Sequence, residues 1–195
     1  MKYVVIEGII GAGKTTLATQ VSKLLKSKPI LEEFADNPFL SAFYADPAGK
    51  AFHLEMSFLV ARRNQMLNEI KKGKALLISD YHFYKTLLFA RETLPSAELK
   101  IFKEVFENFS RDIPEPDLTV FIDTYPETAL RNIGVRGRDY ETGISIDYLK
   151  RIHKSYHKLL KSIPASRKLV LPAVHAEAPE LPFTAPHIAS VIASL

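Results

Sequence analysis

The sequence contains no cysteine, and this absence excludes both a disulfide framework and a metal site built from thiolates. Any metal ion must therefore be held by oxygen atoms or imidazoles. Apolar runs of membrane-spanning length are absent as well. The N-terminal stretch MKYVVIEGIIGAGKTT is apolar only over a short length and is rich in glycine, unlike a signal peptide or a membrane span. From these absences we expect a cytoplasmic protein without membrane partners.

A large excess of one charge is also lacking, because 26 basic and 22 acidic residues leave a formal net charge of +4. A basic protein can bind nucleic acid, but no recognisable nucleic-acid-binding module is present. Positive charge also suits a protein that handles polyphosphate, and we favour that interpretation. The 195 residues, 47% of them apolar, suffice for one domain with a full core, which we predict over residues 1–195.

Short apolar runs alternate with longer helical segments, which is typical of a parallel sheet with helices on both faces. The predicted strands are Lys2–Ile6, Pro29–Leu31, Ala75–Ser79, Leu118–Ile122 and Lys168–Leu171. The predicted helices are Thr15–Lys26, Phe52–Lys72, Ala97–Phe109, Ile146–Ile163 and His187–Ser194. The proline-rich stretch Pro172–Pro186 is predicted to be a surface excursion. The expected fold is a P-loop, three-layer α/β/α domain with a five-stranded parallel sheet.

Acidic side chains follow four of the predicted strands where each strand ends. Glu7 follows the first strand, Glu32 and Glu33 follow the second, Asp80 the third and Asp123 the fourth. In open parallel sheets, ligands bind beyond the carboxyl ends of the strands. The sequence therefore predicts an active site along this edge of the sheet.

A phosphate-binding loop is encoded directly after the first strand. Residues 8–15, GIIGAGKT, match the pattern G-x-x-x-x-G-K-[ST] and lie between a predicted strand and a predicted helix. Glycines let backbone N–H groups turn toward phosphate oxygens, and the helix N-terminus adds a favourable dipole. Lys14 is expected to reach the β- and γ-phosphates of ATP as a catalytic residue, and the Thr15 hydroxyl to bind Mg²⁺. The residues expected to bind ATP are Gly8, Gly11, Ala12, Gly13, Lys14, Thr15 and Thr16.

The loop alone does not distinguish ATPases, GTPases, nucleotide kinases and nucleoside kinases. The guanine-reading N-K-x-D motif of GTPases is absent from the sequence. No apolar run ends in the D-E pair typical of many motor ATPases.

An arginine-rich segment lies between the fourth predicted strand and the next predicted helix, at about residues 131–145. Small phosphotransferases commonly place arginines in a mobile lid, because the planar guanidinium neutralises charge spread over phosphoryl oxygens. We predict such a lid here, with Arg136 and Arg138 as catalytic residues. A solvated basic turn is the alternative, and the adjacent segment D-Y-E favours the lid because acids there suggest contacts with substrate hydroxyls.

These segments together resemble the deoxynucleoside kinase family, from Tyr3 to about Lys161. The segment IEGIIGAGKTT resembles the family's P-loop, and LEEFADNPFLSAFY resembles its E-P-x-x-x-N-P-[FY] segment. The segment FHLEMSFLVARRNQ resembles the base-binding helix, and VRGRDYETGISIDYLKRIHKSY resembles the lid and the helix after it. The resemblance implies transfer of the ATP γ-phosphate to the 5′-hydroxyl of a deoxynucleoside in nucleotide salvage. It also implies a homodimer.

The resemblance implies roles at matching positions. Glu32 matches the catalytic base that takes the proton from the 5′-hydroxyl, and Tyr44 and Glu141 match the residues that bind the 3′-hydroxyl. Asp80 stands where the family has an acid after the third strand, and it is expected to contact substrate and, with Thr15, to hold Mg²⁺. The simpler alternatives are a surface acid at Glu32, core aromatics at Tyr44 and Phe58, and a solvated acid at Glu141.

The nucleobase is implied to lie against one helix face that carries Glu55, Phe58 and Arg62. Glu55 stands where the family has glutamine. An ionised carboxylate offers acceptors only, and it matches the adjacent N1–H and N2–H donors of guanine. We therefore predict a purine substrate, with deoxyguanosine favoured over deoxyadenosine. The alternative is that Arg62 neutralises Glu55 and turns it away from the base.

Two further positions depart from the family pattern. Asp80 is followed by Tyr81, where the family has an arginine, and we expect Lys85 or a lid arginine to replace that charge. The family's arginine four residues before the R-G-R motif is replaced by Asn132, with Arg131 one position away.

Two other functions remain open from the sequence. A nucleoside monophosphate kinase of the thymidylate kinase type shares the loop, the sheet and the lid, but usually has D-R-[YH] where this sequence has D-Y-H. A non-catalytic, nucleotide-gated regulatory module is the second. The six histidines show no spacing typical of metal ligands, and we interpret them as surface or satisfied side chains.

Overall fold

Four parallel strands form a single sheet in the computed structural model, which describes residues 1–33, 37–174 and 185–195. The strands are β1 (Lys2–Glu7), β2 (Leu76–Ser79), β3 (Leu118–Thr124) and β4 (Lys168–Val174), and their order across the sheet is β2-β1-β3-β4. All neighbours pair in parallel, with Val4 opposite both Ile78 and Leu118. The predicted parallel α/β fold is therefore confirmed.

The prediction of a fifth strand at Pro29–Leu31 is wrong. This segment makes one parallel bridge, between Ile30 and Ser79. The N–H of Ile30 donates to Ile78 O at 2.8 Å, and the N–H of Asp80 donates to Ile30 O at 3.1 Å. The next N–H that faces β2, that of Glu32, donates to the side chain of Asp80 and not to a backbone carbonyl, so the ladder does not continue past Ile30. The bridge still fixes the segment that carries Glu32 beside the end of β2.

Helices cover both faces of the sheet. They are α1 (Lys14–Leu24), α2 (Leu40–Ala45), α3 (Pro47–Lys71), α4 (Tyr84–Thr93), α5 (Ser96–Ser110), α6 (Pro126–Arg136), α7 (Ile146–Ser162) and α8 (Ala185–Ala193). Side chains of a strand alternate between faces, and in β1 Val4 and Ile6 join one core while Tyr3 and Val5 join the other. The first core contains residues of α1, α6, α7 and α8, and the second contains residues of α3 and α5. The domain thus has three layers.

Three helices, α2, α4 and α6, were not predicted, and α3 starts earlier than expected. The start of α3 is set by Pro47 in the first turn and by Asp46, whose side chain accepts the N–H of Gly49 at 3.1 Å. Helix α6 also begins with a proline, and it ends at Gly137, which has φ of 64°. Within the described ranges, no helix is long and apolar enough to cross a lipid bilayer.

Strand β4 continues to Val174, three residues beyond its predicted end. Pro172 is tolerated there because β4 is an edge strand, where a missing N–H removes no central hydrogen bond. The rest of the predicted excursion, up to residue 184, lies outside the described residues.

Candidate active site

The phosphate-binding loop connects β1 to α1 and is shaped by glycines. Gly11 has φ of 83° and Gly13 has φ of 89°, both in the left-handed region. A Cβ atom on Gly11 would lie 2.5 Å from the carbonyl oxygen of Ala129 in α6. A larger residue at position 11 would therefore push the loop away from α6. Gly8 opens the loop and Ala12 is buried within it.

Lys14 is the first residue of α1 and is buried. Its Nζ donates to the carbonyl oxygen of Ile9 at 2.9 Å, so the ammonium lies against the loop. Burial, followed by repulsion from Lys85, lowers the pKa of Lys14 to about 8. Added negative charge would stabilise this ammonium, so its position suits an anionic ligand such as a phosphate.

Two oxygen groups meet beside the loop at the predicted magnesium ligands. The Thr15 hydroxyl donates to Asp80 Oδ2 at 2.5 Å, and Asp80 Oδ1 accepts the N–H of Glu32 at 2.8 Å. Hydroxyl and carboxylate oxygens are suitable ligands for Mg²⁺, which usually keeps several waters and binds together with substrate phosphates. The donor set therefore fits a magnesium ion that accompanies a nucleotide. Thr16 is exposed on the next position of α1.

The carboxylate of Glu32 is held between two buried cations. One oxygen accepts hydrogen bonds from the guanidinium of Arg62, with Nε at 2.9 Å, and the other accepts from Nζ of Lys85. The exposed fractions of the three side chains are 10%, 6% and 7%. Burial alone would raise the pKa of Glu32, but the charges of Lys85 and Arg62 outweigh it and hold this pKa well below its usual range. Glu32 is therefore ionised at neutral pH.

Tyr81 stands where the family has an arginine, and Lys85 provides the positive charge that this arginine would supply. Tyr81 is fully buried, and its hydroxyl donates to Gln65 Oε1 at 2.5 Å. Lys85 lies on α4, which the sequence analysis missed, and its Nζ lies 5.3 Å from the ring centroid of Phe89. Of the two expected replacements, the structure brings Lys85 to Glu32.

Glu55, Phe58 and Arg62 share one face of α3, as predicted, but Arg62 hydrogen-bonds to Glu32 and not to Glu55. Its guanidinium carbon lies 4.6 Å from the ring centroid of Phe58. Glu55 Oε1 accepts a hydrogen bond from the Thr93 hydroxyl at 2.9 Å. Burial raises the pKa of Glu55 to about 7, although the charge of Arg62 opposes the rise. Glu55 is thus divided between its neutral and ionised forms at neutral pH, and Arg62 does not fix it as ionised.

The predicted lid residues form an ion-pair cluster. Arg136 is the last residue of α6, and Glu141 ends a short 3₁₀ turn, Asp139–Glu141. Arg136 donates to Glu141 through Nε at 3.1 Å and Nη2 at 2.6 Å, and Arg138 Nη1 lies 3.5 Å from the same carboxylate. The carboxylate is buried, whereas both arginines are about one-third exposed. Closure of these arginines over phosphates stays a prediction.

Asn132, which replaces a family arginine, contacts the phosphate-binding loop. Its Nδ2 donates to the carbonyl oxygen of Gly11 at 2.9 Å, so α6 supports the loop through a neutral side chain. The neighbouring Arg131 is exposed.

Glu7 was predicted at a strand end without a role. In the structure, its carboxylate hydrogen-bonds to two other segments of the chain. It is buried at the end of β1, where Oε1 accepts the N–H of His82 at 2.6 Å and Oε2 accepts the hydroxyl of Tyr156 at 2.8 Å. Burial raises the pKa of Glu7, and Lys85 and Lys14 oppose this rise. An acid inside an apolar strand was the available signal in the sequence.

A single pocket brings most of the predicted site residues together. It is lined by Lys14, Thr15, Arg136 and Arg138, and also by Glu55 and Phe58. Residues that were not predicted as site residues also line it: Ile10, Leu40, Phe43, Leu54, Phe89 and Tyr148. Tyr44 lies on α2, but its side chain is outside the described part of the structure, so its contact with a sugar stays a prediction.

The P-loop, the α/β/α layers and the acid-lined pocket define a P-loop phosphotransferase. Comparison with known proteins is more specific, because a sequence profile described as deoxynucleoside kinase matches residues 4–193. The chain is 37% identical over 165 residues to deoxyguanosine kinase of Bacillus subtilis (strain 168), covering 83% of this chain and 79% of that protein. It is 33% identical over 166 residues to deoxyadenosine kinase of Dictyostelium discoideum, covering 83% of this chain and 67% of that protein.

The fold is similar to that of deoxyadenosine kinase from M. mycoides, solved with bound dCTP. The TM-score is 0.82, with 21% identity, and the match covers 99% of this chain and all of the other. The chain belongs to the deoxynucleoside kinase family. It is therefore an ATP-dependent phosphotransferase that acts on a nucleoside.

Replacing Lys14 by alanine is expected to abolish phosphoryl transfer, because the positive charge of Lys14 is needed to stabilise the negative charge of the transferred phosphoryl group. Transfer from labelled ATP measures the effect, and circular dichroism checks the fold. Lys23→Ala is the matched control, since Lys23 is exposed on the same helix and lies outside the pocket. A folded Lys14→Ala protein with normal transfer would contradict the role of the loop.

Proposed function

We propose that the protein transfers the γ-phosphate of Mg²⁺-bound ATP to the 5′-hydroxyl of a purine deoxynucleoside in nucleotide salvage. The observation that carries this proposal is the position of Glu32. Its carboxylate lies in one pocket between the phosphate end, with Lys14 and Thr15, and the apolar end, with Phe58 and Glu55. A hydroxyl held at Glu32 would face a phosphate held at Lys14.

In the proposed reaction, the 5′-oxygen forms a bond to the γ-phosphorus while the bond from that phosphorus to the β-phosphate bridging oxygen breaks. ADP leaves, and the proton of the hydroxyl passes to Glu32. Thr15 and Asp80 would hold the magnesium ion, which neutralises charge on the β- and γ-phosphates. Lys14 and the two lid arginines would stabilise the charge that spreads over the phosphoryl oxygens.

The low pKa of Glu32 affects how it acts as a base. A carboxylate with a low pKa is a poor proton acceptor in the ground state but a good hydrogen-bond acceptor for a hydroxyl. Phosphoryl transfer passes through a loose transition state in most analyses, so little negative charge need form on the attacking oxygen early. We therefore assign Glu32 first the orientation of the 5′-hydroxyl and then the acceptance of its proton.

An uncharged acceptor fits the pocket better than a nucleoside monophosphate. An acceptor phosphate would need a cation after β2, and Tyr81 at that position is buried and bonded to Gln65. Lys85 and Arg62, the cations nearby, are both paired with Glu32. These contacts favour a nucleoside over the monophosphate substrate of a thymidylate kinase.

A purine is favoured by Glu55 and by the names of two relatives. The relatives described above are named for deoxyguanosine and deoxyadenosine. Ionised Glu55 matches the two donors of guanine. Protonated Glu55 presents one donor and one acceptor, which match N1 and the N6 amino group of adenine. With a pKa of about 7, the side chain can present either pattern.

The remaining implied roles belong to the same proposal. Tyr44 and Glu141 would bind the 3′-hydroxyl, with Glu141 already oriented by Arg136. The homodimer rests on the family resemblance alone.

Glu32→Gln is expected to lower turnover by roughly 10²–10⁴-fold, as for loss of a general base. The assay incubates the protein with Mg-ATP and each deoxynucleoside in turn and measures the monophosphate formed. Glu33→Gln is the matched control, because Glu33 is the next residue and is exposed. If Glu32→Gln kept full activity while Glu33→Gln lost its activity, Glu32 would not be the base.

The preference for deoxyguanosine over deoxyadenosine is expected to rise with pH. Below a pKa of about 7 the neutral form of Glu55 dominates and suits adenine, and above it the ionised form suits guanine. The ratio of the two kcat/KM values should increase by roughly tenfold or more between about one pH unit below and one above that pKa. In Glu55→Gln the ratio should favour deoxyadenosine and stay constant with pH. A wild-type ratio that is flat with pH, or unchanged by Glu55→Gln, would remove Glu55 from base recognition.

A further inference from the structure

Two histidines and an aspartate converge outside the pocket described above. His153 and His157 lie one turn apart on α7, and Asp123 lies near the end of β3. Asp123 Oδ1 is 2.8 Å from His153 Nε2 and 3.1 Å from His157 Nε2, and the two nitrogens are 3.1 Å from each other. Three potential ligand atoms thus form a triangle with edges of about 3 Å. None of the three residues lines the nucleoside pocket.

Hydrogen bonding alone does not satisfy this arrangement. If both Nε2 atoms carried hydrogens toward the shared oxygen, two donors would face each other at 3.1 Å. If only one did, the lone pair of the other nitrogen would face an anionic oxygen at about 3 Å. A cation placed between the three atoms would instead accept a lone pair from each of them.

The distances suit a small transition-metal ion. Zn²⁺ binds imidazole nitrogen and carboxylate oxygen at about 2.0–2.2 Å, so its ligand atoms in a tetrahedron lie about 3.4 Å apart. The edges of the triangle, now 2.8, 3.1 and 3.1 Å, would need to widen by about 0.3–0.6 Å. Two imidazoles and one carboxylate favour zinc or a related transition metal over Mg²⁺ and Ca²⁺, which prefer oxygen ligands only.

The site is open to solvent, so an ion can enter. The exposed fractions are 22% for His153, 42% for His157 and 18% for Asp123. Three protein ligands with partial exposure leave at least one coordination position for water. On these grounds we infer that Asp123, His153 and His157 form a binding site for a Zn²⁺-class divalent transition-metal ion.

An ion there would fasten α7 to the sheet. Helix α7 carries Tyr156, which holds Glu7 next to the phosphate-binding loop, and Tyr148, which lines the nucleoside pocket. A link between β3 and α7 would therefore stabilise the frame of the active site without taking part in phosphoryl transfer. Because an ion that binds only the folded state stabilises it, zinc should raise the melting temperature.

The histidine pair is visible in the sequence, although we interpreted all six histidines there as surface or satisfied side chains. The pair H-x-x-x-H places two imidazoles on one helix face, which is a spacing used for zinc. The third ligand lies thirty positions before the first histidine on a different element, so only the fold brings it to the pair.

The test is calorimetric titration of untagged, EDTA-treated protein with ZnCl₂ in buffer that contains excess Mg²⁺ to occupy the nucleotide site. Wild type should bind one zinc ion at this site, and melting temperature should rise with zinc. His153→Asn, His157→Asn and Asp123→Asn should each weaken binding by at least roughly tenfold. The matched control is His53→Asn, since His53 is exposed on α3 and outside the cluster. Equal zinc binding by wild type and the three variants, or no binding by wild type, would overturn the inference.

A second measurement covers the case in which a variant fails to fold. Wild-type protein loaded with one equivalent of Cu²⁺ should show, by electron paramagnetic resonance, coupling to two imidazole nitrogens. Coupling to one imidazole or to none would contradict the site.

Discussion

The buried carboxylate of Glu32 and its two cations are the interaction on which the site depends. Removing a carboxylate and two cations from water is costly, and only close pairing offsets that cost. Here Lys85 and Arg62 each take one carboxylate oxygen, and the backbone N–H of Glu32 is bonded to Asp80. These contacts tie together α3, α4, the end of β2 and the single-residue bridge at Ile30. Removing Glu32 would leave two buried cations without their shared carboxylate, whereas removing one cation would leave Glu32 paired with the other.

The balance of charge changes along the pocket. At one end, Lys14, Arg136 and Arg138 provide positive charge, and burial together with repulsion from Lys85 lowers the pKa of Lys14 to about 8. At the other end, Glu55 accepts a hydrogen bond from Thr93, Arg62 bonds to Glu32 instead, and burial raises the pKa of Glu55 to about 7. The first imbalance suits a polyphosphate. The second suits a neutral base whose hydrogen-bonding pattern can select the protonation state of Glu55.

Local signals in the sequence identified the parts of the fold that depend on local rules. The glycines and Lys14 of the loop, the acids at strand ends and the shared face of Glu55, Phe58 and Arg62 all follow from spacing. The partners of these residues do not. Arg62 could be placed on its helix face, but its choice of Glu32 over Glu55 depends on how α3 packs against the edge of the sheet.

The missed features share a cause in packing across distant segments. Helix α4 is short and has no side-chain cap, so its sequence gave a weak signal, yet it supplies Lys85 and Thr93. The segment at Ile30 looked like a strand because it is apolar, but it makes one bridge, since the N–H of Glu32 bonds to the side chain of Asp80 and not to the backbone of β2. Asp123 and the histidines of α7 are far apart in sequence and meet only in the folded chain.

Lys85 keeps Glu32 ionised in a buried site, and the pH dependence of kcat/KM tests this role most directly. Two proteins are compared: the single variant Glu55→Gln and the double variant Glu55→Gln/Lys85→Met. Both lack the Glu55 carboxyl group, so its titration does not contribute to either pH profile. In the double variant, Glu32 keeps its burial but loses one of two cations, so its pKa should rise and kcat/KM should fall on the acid side at a higher pH. Superimposable pH profiles and equal rates for the two proteins would contradict the account.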